Sequence, residues 1–207
     1  MIFRTPRWLP WIYPELTWRV TTTQKEIYLT FDDGPVPGPT EFVLDTLAQH
    51  QAKATFFCIG DNVRKHPQIF TKLVQAGHSV GNHTFNHLPG WRYSTAEYTD
   101  NVARCNSEFI LHQVTPAPIF RPPYGRITFK QIRALKNEYH IIMWDVLTRD
   151  YASSLTPEKC LAGTMRATRP GSVVVFHDSL KAERNLRYVL PRYLQYLKDE
   201  GYSFRSF

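Results

Sequence analysis

Cysteine is scarce in this 207-residue chain: Cys58, Cys105 and Cys160 make an odd count with no CxxC spacing. That excludes a disulfide framework and a thiolate zinc site, and leaves buried thiols in a reducing compartment as the expectation. Long apolar runs are missing as well. No segment approaches the roughly 20 apolar residues of a membrane-spanning helix. The opening residues are broken by Pro6, Pro10 and Pro14 and carry neither an apolar leader core nor a small-residue cleavage site. A cytoplasmic location without a transmembrane segment is the default expectation. Blocks of like charge are also absent. The formal net charge is +7, and a basic surface attracts polyanions. Its lysines and arginines are nevertheless scattered, with no run of five, so no nucleic-acid partner is expected. There are no internal repeats and no low-complexity linker.

What is present is an ordinary globular composition, 43% hydrophobic and 21% charged. A chain of this length buries most of its apolar surface without staples and favours one domain over residues 1–207. Short β-rich runs alternate with helical stretches. Strands are expected over residues 27–31, 54–59, 78–81, 119–120, 140–144 and 172–176, with a short terminal strand after Gly201. Helices are expected over 40–50, 67–76, 95–112, 128–138, 157–168 and 183–200. Pro67 and Gly77 bracket the second helix, and Ser94 and Thr156 are N-cap residues for later ones. This alternation implies a parallel sheet with right-handed crossovers. Polar clusters follow directly on the strand ends at Asp32, His83, Arg121, Asp150 and His177. Active sites of parallel α/β folds lie at the carboxyl ends of strands. One rim gathering five clusters points to a distorted (β/α) barrel of TIM-like type with seven parallel strands. Residues 1–24, with Phe3, Trp8, Trp11, Tyr13 and Trp18, are expected to pack across it as an extension.

Three motifs carry chemistry. In Thr30-Phe31-Asp32-Asp33-Gly34-Pro35 an apolar strand runs into two carboxylates and a turn. Adjacent side chains on an extended backbone point apart, so one acid is free for a metal and the other for substrate. In His83-Thr84-Phe85-Asn86-His87 the imidazoles are four residues apart, and on a helical turn they would share a face. Two histidines and one aspartate leave open positions for water and substrate, the mark of a catalytic metal site. In Arg121-Pro122-Pro123-Tyr124-Gly125 the prolines lack N–H groups, so Tyr124 offers the next backbone donor, suited to an oxyanion. His177 ends an apolar run and belongs to the same rim. Trp91 and Tyr93 follow the histidine motif and are candidates for stacking on sugars.

Taken with Trp144 to Tyr151 and Val175-Phe176-His177, these motifs stand in the order found in the polysaccharide deacetylase family, the NodB-type domain of carbohydrate esterase family 4, and the chain resembles that family over residues 30–177. The resemblance implies a metal-dependent hydrolase that removes N-acetyl groups from a GlcNAc-containing glycan such as chitin or peptidoglycan. It implies Asp33, His83 and His87 as ligands of a divalent metal, most commonly Zn2+, with Co2+ or Ni2+ as alternatives. It also implies Asp32 as general base, Arg121 as its partner, His177 as general acid and Asp150 as the support of His177. Pro123 and Tyr124 belong to the oxyanion turn. Tyr151 and Val175 stand where the family commonly has Trp and Leu against the acetyl methyl, a departure that bears on acyl preference. The other readings are an O-acetyl esterase on a xylan-type glycan, a non-catalytic glycan-binding protein on the same fold, and a basic scaffold for anionic polymers. The non-catalytic reading predicts a lost ligand or base, and none is missing.

Overall fold

A computed structural model describes residues 2–207. In chain order the elements are α1 (Leu9–Ile12), β1 (Glu26–Asp32), α2 (Pro39–Gln49), β2 (Thr55–Cys58), α3 (Gly60–Lys65), α4 (Pro67–Gln75), β3 (Ser79–Asn82), α5 (Thr95–Leu111), β4 (Ile119–Phe120), α6 (Phe129–Leu135), β5 (His140–Ile141), β6 (Val146–Leu147), α7 (Pro157–Ala167), β7 (Val173–His177), α8 (Glu183–Asp199) and β8 (Ser203–Arg205). Seven strands run in the order β5-β4-β3-β2-β1-β7-β6, and β8 pairs with the start of β1. Every pairing between these strands is parallel. The sheet curls into the distorted (β/α) barrel that the alternation of strands and helices implies. No helix among the described residues is long and apolar enough to cross a membrane.

Strand pleating sorts the side chains into two layers. On β1, Ile27, Leu29 and Phe31 face the helices. Phe31 stacks on Phe56 and Phe176 at 5.0 and 5.8 Å, and the layer continues into Val43 and Leu47 of α2 and Leu186, Leu190 and Leu194 of α8. Burial of each such side chain is worth about 1.5–3 kcal/mol. The alternate residues turn inward. Phe57, Ile119, Ile142 and Val173, with Tyr28 beside them, plug the interior. Gly81 makes room for this plug, since a Cβ there would stand 2.7 Å from the Phe57 ring. Higher along β1, Thr30 and Asp32 face the same interior and carry the polar chemistry.

Helix starts follow their local signals. Ser94 accepts a hydrogen bond from the Glu97 N–H at 3.3 Å, while the Glu97 carboxylate accepts from the Ser94 N–H at 2.9 Å, a reciprocal capping box. Four elements depart from the sequence expectation. The strand expected over 140–144 stops at Ile141, and a separate β6 forms at the opposite edge of the sheet. The short helices α1 and α3 carry no periodic apolar stripe long enough to be read from sequence.

The barrel is open between β5 and β6, and residues 3–18 occupy that seam. The Thr17 N–H donates to Ile141 O at 2.9 Å and Thr17 O accepts from the Met143 N–H at 2.7 Å. On the other side, the Thr5 N–H donates to Asp145 O at 2.8 Å and Phe3 O accepts from the Leu147 N–H at 2.9 Å. Both exposed edges thereby gain backbone partners, which removes the hazard of unpaired strand edges. Leu16 and Trp18 are buried beneath, against Ile127, Ile141 and Met143. Trp18→Ala should cost about 3–5 kcal/mol, read from urea unfolding; a loss below about 1 kcal/mol would mean the segment is only draped on the surface.

Candidate active site

Sheet register assembles the rim. Asp32 at the end of β1 stands opposite His177 at the end of β7, and Asn82 of β3 stands opposite Phe120 of β4. The next residues, His83 and Arg121, are therefore neighbours. Arg121 is fully buried. Its Nη1 donates to Asp32 Oδ1 and to Thr30 Oγ1, both at 2.7 Å, its Nη2 to Met143 O at 2.8 Å and its Nε to Ile142 O at 3.1 Å. The guanidinium lies over the Phe57 ring at 4.2 Å. One Asp32 oxygen is thus held, and Oδ2 turns toward His83 Nε2 at 4.0 Å.

Asp33 turns the other way because its φ is 85°, in the left-handed region. Such a conformation in a non-glycine residue costs of order 1–3 kcal/mol and persists only where its surroundings hold it. Here Asn62 of α3 donates to Asp33 O at 2.7 Å, and the buried Asp178 carboxylate accepts from the Gly34 N–H at 3.0 Å and from Thr40 Oγ1 at 2.6 Å. Position 34 must be glycine, because a Cβ would fall 1.9 Å from Asp178 Oδ2. Burial in this dry pocket pushes the Asp178 carboxyl up to about 8 against the pull of its hydrogen bonds.

The two histidines do not share a helical turn, which corrects the sequence expectation. Residues 83–89 form an irregular loop with Thr84 and His87 left-handed at φ 62° and 56°. Side-chain bonds override helix formation: Asn82 Oδ1 accepts from the Thr84 N–H at 2.9 Å, and Asn101 Oδ1 from the N–H groups of Phe85 and Asn86 at 2.8 and 3.0 Å. The loop nonetheless brings the rings together. His87 Nε2 is 3.2 Å and His83 Nε2 3.9 Å from Asp33 Oδ1, and the three ligand atoms lie within 4.8 Å of one another. His83 Nδ1 lies 2.7 Å from Arg121 O, a bond that assigns the proton to Nδ1 and leaves the Nε2 lone pair free. Burial lowers the His83 pKa to about 4, so the ring is neutral at physiological pH. Burial opposes the ionised form of Asp33, but the hydrogen bond from His87 and the neighbouring histidines outweigh it and hold the carboxyl well below its usual range. Two imidazoles and an ionised carboxylate form a donor set that fits a divalent ion of the zinc type.

His177 lies at the same mouth. Its Nδ1 is 2.8 Å from Asp150 Oδ1, and its N–H donates to Asp150 Oδ2 at 2.7 Å. Burial pulls its pKa down, yet the charge and hydrogen bond of Asp150, with Asp33 and Asp32 beyond, lift it to about 9. Tyr151 packs edge-on against the His177 ring at 5.0 Å. His177 and Tyr151 line a cleft of about 570 Å³ with Asp32, Asp33, His83 and His87, together with Tyr124, Trp144, Leu147, Val175 and Lys181. Tyr124 is left-handed at φ 60°, with its ring 4.6 Å from that of His87, and its N–H donates to no acceptor among the described residues. Pro123 is buried behind it. Trp91 lies outside this cleft: it lines an adjoining groove and donates to Ile127 O at 3.1 Å.

Not apparent from the sequence as parts of the site are Asp178, Asn62, Asn82 and Asn101. Asp178 follows His177 directly and offers a signal, since an acid at a strand end rarely lies idle. The asparagines act from other elements and leave none.

The polysaccharide deacetylase family profile matches residues 19–141. A peptidoglycan-N-acetylglucosamine deacetylase of Bacillus cereus is 34% identical over 192 residues, 91% of this chain and 89% of the relative. A chitooligosaccharide deacetylase of Bradyrhizobium is 35% identical over 158 residues, 74% of this chain and 71% of the relative. Other relatives are longer, and the chain spans 38% to 56% of their length. Among solved structures, the Bc1960 peptidoglycan N-acetylglucosamine deacetylase superposes with a TM-score of 0.90 at 28% identity, covering 98% of this chain and 95% of that one. The chain belongs to the polysaccharide deacetylase family.

Arg121→Met should destabilise the protein by about 3–5 kcal/mol, because it leaves Asp32 buried without its cation. Urea unfolding reads this, and a change under about 1 kcal/mol would show that water replaces the guanidinium.

Proposed function

We propose that this protein is a metal-dependent N-deacetylase of a GlcNAc-containing glycan. The observation that carries the proposal is the convergence of the Asp33, His83 and His87 donor atoms beside an arginine-held Asp32 and an Asp150-held His177. Asp33, His83 and His87 would hold the ion, with Zn2+ first and Co2+ or Ni2+ as alternatives. A bound dication supplies Lewis acidity to the acetyl oxygen and lowers the pKa of water.

The remaining work falls to the chain's own groups. Asp32 Oδ2, free of the guanidinium, takes a proton from the attacking water as its oxygen bonds to the acetyl carbon. The Tyr124 N–H donates to the oxygen of the tetrahedral intermediate. The carbon–nitrogen bond then breaks as His177 Nε2 gives its proton to the departing amine, releasing acetate. Asp150 keeps that proton available by stabilising the imidazolium. Val175 and Tyr151 flank the place of the acetyl methyl. Relatives named for peptidoglycan and for chitooligosaccharides support a glycan substrate.

Acetate release from chitin oligomers should be abolished by a chelator and restored by added metal. Asp32→Asn should bind one ion per chain by calorimetry while losing turnover by about 100-fold or more, and His83→Ala should lose both. A fully active Asp32→Asn enzyme would refute the base assignment.

The His177 pKa of about 9 sets the alkaline side of the pH profile. Its raised value means the proton is present below that pH and lost above it, so kcat/KM should fall as pH rises toward 9. A dication beside Asp33 opposes the pull of the carboxylates and places the fall at or below that value. Asp150→Asn removes an adjacent charge and should move it down by about one unit or more; an unmoved profile would remove His177 from the acid role.

A further inference from the structure

Two cations line the cleft that holds Asp32, Asp33 and His177 without a part in its proposed chemistry. Arg126 lies in the loop between β4 and α6, and Lys181 in the turn between β7 and α8. In sheet order β4 and β7 stand on opposite sides of β1, so the two charges flank the acids at its end. Each is placed by an aromatic wall of the cleft. Arg126 Cζ is 5.6 Å from the Tyr124 ring centroid and 5.5 Å from that of Trp91, and Lys181 Nζ is 5.6 Å from the Tyr151 ring centroid. Attraction of a cation to a ring face holds these long side chains at the cleft.

Neither charge is answered within the protein. The acids around the mouth are engaged elsewhere: Asp32 by Arg121 at 2.7 Å, Asp33 by His87 at 3.2 Å, Asp150 by His177 at 2.8 Å and Glu183 by Arg187 at 2.7 Å. Asp178 is buried on the Gly34 N–H and Thr40 Oγ1. Among the described residues, no carboxylate lies within ion-pair distance of Arg126 or Lys181. A guanidinium and an ammonium with free N–H groups have only donors to offer, and their strongest partners are oxyanions. A neutral glycan brings them hydroxyls alone. A carboxylate on the sugar before or after the reacting one brings each a charge-assisted bond.

We propose that Arg126 and Lys181 are specificity-determining residues that select an acidic glycan, one whose sugars next to the N-acetylated unit carry carboxylates. The inference rests on the deacetylase reading of the cleft and deepens it. The net charge of +7 draws the same polymer from a distance, and the two cleft cations set where its carboxylates lie.

The test uses peptide-free peptidoglycan strands, in which GlcNAc alternates with a sugar bearing a lactyl carboxylate, and the same strands with those carboxyls amidated by methylamine. Exposed ion pairs are worth about two- to fivefold each in binding. At low salt kcat/KM should therefore be about tenfold higher on the acidic strand, through KM, and about 1 M salt, with a screening length of about 3 Å, should shrink that ratio. Arg126→Gln combined with Lys181→Gln should bring the ratio close to one, and the charge-keeping pair Arg126→Lys with Lys181→Arg should retain most of it. A matched control, Arg166→Gln with Lys198→Gln, removes two exposed charges on α7 and α8 outside the cleft and should leave the ratio intact. Calorimetric binding of both strands to the Asp32→Asn protein repeats the comparison without turnover. A charge preference in binding, with no acetate released from either strand by the unaltered protein, sinks the deacetylase reading and spares the cation pair. Equal values for the two strands, a preference surviving in the double Gln variant, or an equal loss in the matched control would each overturn the proposal, the last by assigning the preference to net charge.

Discussion

The rest of the structure depends on one buried cation. Arg121 lies wholly inside the barrel, where an unpaired charge would be prohibitive. It is tolerated because its donors are taken up by Asp32, Thr30 and the carbonyls of Ile142 and Met143, and because its flat face lies on Phe57. These bonds join β1 to the chain leaving β5, across the interior and next to the open seam. The same residue orients Asp32 through its side chain and selects the His83 tautomer through its carbonyl. Three properties of the site therefore share one origin: the aim of Asp32, the free lone pair of His83 and the shape of the barrel mouth.

Around this cation the rim holds backbone that would relax if left alone. Asp33, Thr84, His87 and Tyr124 all have positive φ without being glycine. The turn at Asp33 is held by Asn62 on α3 and Asp178 after β7, and the loop carrying Thr84 and His87 by Asn82 at the end of β3 and Asn101 on α5. The strain aims side chains that a regular strand or helix would point elsewhere. Asp32 and Asp33 are sequence neighbours, yet one faces the barrel interior and the other the histidines, because the chain reverses its twist between them.

The N-terminal segment has a comparable double use. Its backbone closes the seam between β5 and β6, and its aromatic side chains line an apolar groove beside the cleft that holds Asp32, Asp33 and His177. Edge protection and the walls of the groove come from the same stretch, since a segment paired to both edges must cross the mouth of the barrel.

Much of this was legible in the residues. Period-two and longer apolar patterns place most strands and helices, and the strand-end clusters at Asp32, His83, Arg121, Asp150 and His177 mark the rim. These are local properties, written in consecutive residues. The histidine loop was misread as a helical turn because its conformation is decided by Asn82 and Asn101, which act across space. Strand β6 went unseen because two residues carry no period, and its place is set by pairing with β7. Consecutive residues specify the order of elements and the identity of the groups at each strand end. Which of those groups touch follows from the folded chain alone, because register, a buried charge and bonds between distant elements set distances that no local pattern encodes.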